Sequence, residues 1–272
     1  MPTTSPSFRV GASIWGFFNG QPRSSWPSIA EAVDSILSLD AELGVEVWAS
    51  RELAEPGAMG FELQSLTEAA SRAEFVSVHV RGLFWRWDPA KLRDEIDFAQ
   101  RVGARTLVLH PVCFGLRRPG DPFDVDEVRR IADYGRDRNV QLSMENVRDS
   151  IWVLDRLLEE IGPDPEATNL GICIDVGHAH LSRDIEEDRV CGYLDRYADA
   201  LVHLHLHDNR GERDEHLALG EGTVDWAGVI DTLRSNRFSG TAVLEIHGSE
   251  EPTLPAIERS VATLCELVGG AD

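Results

Sequence analysis

Six short apolar runs each end in a residue type that binds metals: Val-Ser-Val-His79, Leu-Val-Leu-His110, Gln-Leu-Ser-Met-Glu145, Gly-Ile-Cys-Ile-Asp175, Leu-Val-His-Leu-His205 and Ala-Val-Leu-Glu245. His178 follows Asp175 by three residues, and Asp214-Glu-His216 follows the fifth run. Imidazoles and carboxylates are costly to bury without partners. Nine of them, set where strands give way to loops, point to one rim and one shared ligand, a divalent metal. Five imidazoles and four carboxylates exceed what a single tetrahedral or octahedral ion needs. Either two or three ions are held, or one ion is surrounded by outer partners and substrate-gripping histidines. Glu145 and Glu245 are candidates both for ligation and for carrying a proton.

Strand periodicity sharpens the histidine run. In Leu-Val-His-Leu-His-Leu-His207, Val202, Leu204 and Leu206 share one face while His203, His205 and His207 share the other. The apolar face suits packing against helices, and the histidine face points to a barrel axis. His203 is then deepest, His205 stands at ligand height and His207 lies beyond the rim. Asp175-Val-Gly-His178 puts a carboxylate at a strand end and an imidazole within the next turn; the plainer role for Asp175 is a helix N-cap. Asp214 and His216, two apart in an extended segment, point the same way, and the nearby glycines of Leu-Gly-Glu-Gly222 permit close backbone approach.

Eight strand–helix beats must position these groups. Strands are expected at residues 9–14, 45–48, 75–79, 106–110, 141–145, 170–175, 201–205 and 241–245. Helical patterns lie at residues 27–43, 88–102, 124–138, 150–161, 187–197, 225–236 and 252–268, with Asp88 as an N-cap and Gly44, Gly103 and Asn139 as helix ends. Such alternation implies a parallel sheet, and eight units are the count of a closed (β/α)8 TIM barrel, class α/β. Residues 1–7 are expected to be a disordered lead and 8–270 a single catalytic domain. An open doubly wound sheet is the competitor. It would carry a glycine-rich loop after the first strand, whereas Ile14-Trp-Gly-Phe-Phe-Asn-Gly20 lacks that spacing.

Composition narrows the setting. The chain has 272 residues, 42% hydrophobic, and no run long enough to cross a membrane as a helix. Its first residues lack the basic and apolar regions of a secretory signal. Four scattered cysteines, Cys113, Cys173, Cys191 and Cys265, suit a reducing cytoplasm. A net charge of −21 argues against a general nucleic-acid coat. It leaves room for a local basic groove from Arg81, Arg86, Arg117, Arg118 and Arg148.

In Ile-Asp-Val-Gly-His178, His205-Leu-His-Asp-Asn209, Asp214-Glu-His-Leu-Ala-Leu-Gly-Glu-Gly222 and Leu-Glu245, the chain resembles the xylose isomerase-like TIM-barrel superfamily, over nearly its whole length and in order. That group includes endonuclease IV-type (AP endonuclease family 2) enzymes and sugar-phosphate isomerases and epimerases. The isomerase-like resemblance implies one Mn, Mg, Co or Zn ion held by Glu145, Asp175, His205 and Glu245, with the two glutamates shuttling a proton. The endonuclease-like resemblance implies three zinc ions and all nine ligand types, His79, His110, His178, Asp214 and His216 included. The wording after His205, the Gly-Val-Glu-Val-Trp48 strand and the absence of an Ala-His-Val start favour the isomerase-like branch, and the stretch Ala49-Ser-Arg-Glu-Leu-Ala-Glu55 offers DNA a single Arg.

The expected activity is therefore a metal-dependent sugar or sugar-phosphate isomerase or epimerase working through a metal-stabilised enediolate. Its partner is a small carbohydrate, with no nucleic acid and no membrane; a homo-oligomer is left open. Trp15, Phe17, Trp48, Phe84 and Trp85 are candidates to wall the pocket, and His178, Arg148 and Arg210 to grip substrate. The alternative is a trinuclear zinc phosphodiesterase. A barrel kept only for binding fits a full ligand set poorly.

Overall fold

The computed structural model describes residues 8–19, 25–48, 59–80, 87–186, 188–248 and 252–269. Eight parallel strands close into one barrel in sequence order. They are β1 (Arg9–Ser13), β2 (Gly44–Trp48), β3 (Val76–His79), β4 (Thr106–Leu109), β5 (Gln141–Glu145), β6 (Leu170–Asp175), β7 (Leu201–Leu206) and β8 (Thr241–Leu244). β1 pairs with β8, Gly11 opposite Val243, and that pairing seals the ring. The strands are buried almost throughout because helices cover their outer faces. The helices are α1 (Ile29–Leu37), α2 (Met59–Ala70), α3 (Pro89–Arg101), α4 (Val125–Arg136), α5 (Ile151–Glu160), α6 (Pro165–Thr168), α7 (Val176–Leu181), α8 (Arg189–Arg196), α9 (Trp226–Ser235) and α10 (Thr253–Gly269).

Local chemistry sets the helix starts. Asp88, Asp124 and Asp225 each accept a backbone N–H from the first turn of α3, α4 and α9. Ser28 and Glu31 cap each other's backbone at the start of α1. That box moves the start past Pro27, and the helix stops at Leu37, where Ser38 turns to bond Ser35 O at 2.7 Å. The expected helix over residues 27–43 was thus too long at both ends. Gly103 and Asn139 do end helices, with φ of 80° and 56°. Gly44 does not: it is the first residue of β2. A side chain there would enter the Phe75 ring, with its Cβ 2.2 Å from a ring carbon.

Three strand ends fall one residue short of expectation. β1 stops at Ser13, where a 3-10 turn over Ile14–Phe17 begins. β4 stops at Leu109 because His110 precedes Pro111, which has no N–H to give the ladder. β8 stops at Leu244, although Glu245 N still donates to Leu206 O at 3.1 Å. α2, after β2, carries too weak an apolar periodicity to be read in advance. Among the described residues no helix is long and apolar enough to cross a membrane.

Candidate metal centre

The C-terminal ends of β3 to β8 bring the nine residues together as three groups. His79, His110 and Glu145 form the first, and His178, Asp214 and His216 the third; within each, the facing ligand atoms lie within 4.8 Å of one another. Between them, Glu145, Asp175 and His205 form the central group to the same tolerance. Glu245 joins it, with Oε2 3.7 Å from His205 Nδ1. Glu145 serves two groups with different oxygens. Its Oε2 lies 3.2 Å from His79 Nε2 and 3.0 Å from His110 Nε2. Its Oε1 lies 3.7 Å from His205 Nδ1.

Hydrogen bonds choose which imidazole nitrogen faces each group. A carbonyl oxygen only accepts, so a ring nitrogen bonded to one must carry the proton. His79 Nδ1 donates to Val80 O at 3.1 Å, which turns Nε2 inward. His178 Nδ1 donates to Asn146 O at 3.0 Å, and its Nε2 faces Asp214 Oδ2 at 3.2 Å. His216 Nδ1 donates to Glu245 O at 2.9 Å, and its Nε2 faces Asp214 Oδ1 at 3.3 Å. His205 is anchored through Nε2 by Glu46 Oε2 at 3.3 Å. Its Nδ1 is buried and has no hydrogen-bond partner. Three carboxylates surround that nitrogen: Glu145 and Glu245 at 3.7 Å and Asp175 at 3.9 Å.

An orphaned nitrogen ringed by carboxylates is the signature of a cation socket. Glu46, Glu145, Asp175 and Glu245 are 0 to 6% exposed. Among the described residues their ion-pair partners are all histidines. Without lysine or arginine, either protons on imidazoles or bound cations must balance the buried charge. Burial alone would lower the His79 pKa, but Glu145 beside it raises it to about 9. Burial pushes Glu245 up to about 7, with Glu46 adding and His205 opposing. Burial also favours the neutral form of Glu145, yet His110 and His205 hold it well below the usual carboxylate range. Asp214, likewise pushed up by burial, is held low by His178 and His216. The donor set fits divalent ions: nitrogen-rich flanking groups suit zinc, and the carboxylate-rich central group suits zinc or manganese.

The local fold supplies each position. Asp175 caps α7, its Oδ1 accepting His178 N at 2.6 Å, so it is both an N-cap and a member of the central group. Asn146 locks the ends of β5 and β6 together, accepting Asp175 N at 2.6 Å and donating to Asp175 O at 3.1 Å. Asp208 organises the loop that carries Asp214 and His216. Its two oxygens accept from Asn209 N, Val224 N, Gly220 N and Trp226 Nε1 at 2.9 to 3.1 Å. Asp214 keeps 43% of its side chain exposed, so the third group faces solvent.

The other expected site residues are less uniform. Trp15, in a short 3-10 turn over Ile14–Phe17, packs against Trp48 at 5.5 Å and edge-on to His216 at 5.0 Å. Phe17 in that turn packs on the core. Arg210 is paired with Glu215 at 2.6 Å on the loop after β7, and Arg148 lies exposed with Asp149 Oδ2 3.7 Å away. Phe84, Trp85, Arg81 and Arg86 lie outside the described residues, as does the stretch after β2. His207, expected beyond the rim, is instead fully buried beside Asp175. The loop after β7 folds back over it, pairing Asp208 with Leu217. Sequence reasoning also missed Glu46. Its inward parity in Gly-Val-Glu-Val-Trp48 was the available signal, because a carboxylate between two valines of a buried strand is otherwise expensive. Asn146, Asp208 and His247 left no signal beyond their proximity to ligands.

The family described as xylose isomerase-like TIM barrel matches residues 83–267. The protein MJ1311 of Methanocaldococcus jannaschii is 26% identical over 162 residues, which are 57% of this chain and 55% of that protein. A probable endonuclease 4 of Oceanobacillus iheyensis is 30% identical over 165 residues, 54% of each chain. The chain thus spans about half the length of these two curated relatives. Among solved structures, the TTHB071 protein from Thermus thermophilus, soaked with ZnCl2, shares 25% identity and a TM-score of 0.65 over 97% of this chain and all of that one. A D-tagatose 3-epimerase-like protein, at 19% identity and a TM-score of 0.63 over 96% of this chain and 97% of that one, shares the fold.

Proposed function

The chain belongs to the xylose isomerase-like TIM-barrel family, and from that membership we propose a multinuclear divalent-metal hydrolase acting on phosphoesters. One observation carries this reading: the nine ligand residues fall into three groups, the first and central ones sharing Glu145 through its two oxygens, while a fourth cluster at the same spacing, Glu46, His203 and His205, is closed by hydrogen bonds from both imidazoles to Glu46 Oε2. A single-ion isomerase holds its ion in the central group and leaves the flanking groups as outer partners and substrate grips, whereas three ions use all nine residues as ligands. The similarity to a probable endonuclease 4 supports the same choice.

His79, His110 and Glu145 would hold one ion; Glu145, Asp175, His205 and Glu245 a second; His178, Asp214 and His216 a third. When bound, such ions supply Lewis-acid stabilisation of the charge that develops on phosphoryl oxygens. The chain does the rest. Backbone carbonyls and Glu46 hold His79, His178, His205 and His216 each in one orientation, so these four need little reorganisation during the reaction. Trp15 and Trp48 wall the approach and keep water from the buried groups. His178 and the exposed Asp214 mark where substrate enters, with Arg148 and Arg210 near enough in sequence to grip its phosphate. Glu245 takes up the proton that the attacking water loses.

A second reading, the sugar or sugar-phosphate isomerase or epimerase, is favoured by one distance pair. Glu145 and Glu245, on β5 and just past β8, both lie 3.7 Å from His205 Nδ1. Two carboxylates flanking one point can remove an α-proton from one side and return it from the other. Metal content and two assays separate the readings. Three ions per chain with hydrolysis of bis-p-nitrophenyl phosphate or an abasic-site oligonucleotide support the hydrolase. One ion per chain, with deuterium from D2O entering a ketose at the carbon next to its carbonyl, overturns it in favour of the isomerase.

A further inference from the structure

Resting on the multinuclear reading, we propose that His207 is a positioning residue that couples the central ligand group to the third, so that an ion in one strengthens binding in the other. His207 belongs to neither group. It lies just past β7, is fully buried, and shares the inward face of His203 and His205. Its edge and its face are committed to different neighbours. Nε2 lies 3.0 Å from Asp175 Oδ1 and 3.2 Å from Oδ2, and since a carboxylate only accepts, Nε2 donates. That bond and the His178 N–H, at 2.6 Å, both fall on Asp175 Oδ1. Asp175 Oδ2, which the same Nε2 also reaches, faces His205 Nδ1 in the central group at 3.9 Å.

The face of the same ring stacks on His216 of the third group, with centroids 3.7 Å apart and planes 15° from parallel. Nε2 also stands 3.8 Å from Asp214 Oδ1. His207 Nδ1 has no hydrogen-bond partner, so the Asp175 bond, the stack and the close packing on Gly177 hold the ring's angle. The chain has made room for it. A Cβ at Gly177 would sit 1.9 Å from His207 Cε1, so the Asp-Val-Gly-His turn requires glycine where this ring passes. A shift of Asp175 on filling the central group moves the ring, and the ring moves His216. His178 also spans two groups, with Nδ1 near Glu145 Oε1 and Nε2 near Asp214 Oδ2, but it is itself a member of the third group. His207 transmits position alone.

Two substitutions split its two contacts. H207F keeps a flat ring on His216 and loses the donor to Asp175. H207Q keeps a donor and loses the stack. Zinc is titrated into chelator-stripped protein against a chromophoric competitor, and E245Q and D214N identify which step of the isotherm belongs to which group. The wild type is expected to fill the central and third groups with a Hill coefficient above unity. H207F should weaken the central step by about 10- to 100-fold, the usual effect of removing an outer partner of a ligand, and cost the third only its share of the lost coupling. H207Q should do the reverse, and neither variant should keep the cooperativity. The proposal is overturned if both variants, shown by melting to be folded, keep the wild-type isotherm or lose the same step equally. A wild type that binds three ions while the variants are unaltered removes the coupling alone. A wild type that binds one ion removes the multinuclear reading with it.

Discussion

The two mouths of the barrel are both lined with charge, and only one carries a ligand set. At the N-terminal mouth, Arg9, Glu74, Arg105, Asp164 and Asp199 border a cavity of about 770 Å³. All five are exposed. Arg9 lies over the Phe75 ring at 5.5 Å, a contact at the rim of that mouth. Water solvates these groups and screens them from one another. At the C-terminal mouth, Glu46, Glu145, Asp175 and Glu245 are dry, and among the described residues their ion-pair partners are histidines. Barrel enzymes place their chemistry at this end. The contrast teaches that an open, charged cavity is a weaker guide to chemistry than charge which the fold has taken out of water.

The comparison breaks first at Glu145. E145Q should remove at least two ions per chain by elemental analysis. It should cut turnover by roughly 10³-fold or more, because Lewis-acid stabilisation is worth several kcal/mol. E145Q protein that keeps its metal content would dissolve the distinction between the two mouths.

The pH response of the metal-free protein comes next. His79 titrates near 9 in the fold against 6.5 for the free side chain, so its contribution to stability is complete below 6.5 and lost as pH rises through 9. Glu245 titrates near 7 against 4.5, so the fold holds its proton longer than the unfolded chain does, and stability again falls as pH rises from 4.5 to 7. Melting in chelator should therefore drop between pH 6 and pH 9. Saturating zinc, which takes the place of those protons, should flatten the slope. Parallel slopes with and without zinc would mean that the dry carboxylates are not where the metal goes.

Asp208 tests the loop that carries Asp214 and His216. D208N puts an amide N–H₂ where one oxygen now accepts two donors, and should cost about 1–3 kcal/mol in urea unfolding. It should empty the third group before the first. E46Q leaves His205 with a neutral anchor and should weaken the central step by about 10- to 100-fold in zinc titrations. R9A and R105A, at the wet mouth, should change stability by no more than about 0.5 kcal/mol. They should leave metal content as it is. A loss of zinc in either would make the far mouth part of the site.

The barrel was legible because eight apolar runs of strand length recur between helical patterns, and because capping residues such as Asp88, Asp124 and Asp225 stand at the helix starts. The ligand types were legible for the same reason: strand ends are fixed by where apolar runs stop. Height above the rim was not legible. His207 has the right parity, but its depth depends on the loop returning through the Asp208–Leu217 bridge, a long-loop contact that no local pattern announces. Nor was tautomer choice, since the acceptors are backbone carbonyls of Val80, Asn146 and Glu245, which every sequence has. Gly44 misled because a glycine after a helix suggests a C-cap, whereas here it clears space for Phe75, the residue before β3.

One further feature makes the site open to engineering. His216 holds its backbone at φ 50°, a left-handed conformation that costs a side-chain-bearing residue energy and suits glycine. Its carbonyl is meanwhile clasped by His247 N and Gly248 N at 3.1 and 3.0 Å. Glycine at this position should keep the loop and relieve the turn, leaving a vacancy shaped like an imidazole between the rings of His207 and His247. Free imidazole in the buffer should enter that vacancy and restore the zinc that H216G loses, whereas H216A, still strained, should be rescued less. The protein would then carry one detachable ligand, switched on and off by a solute.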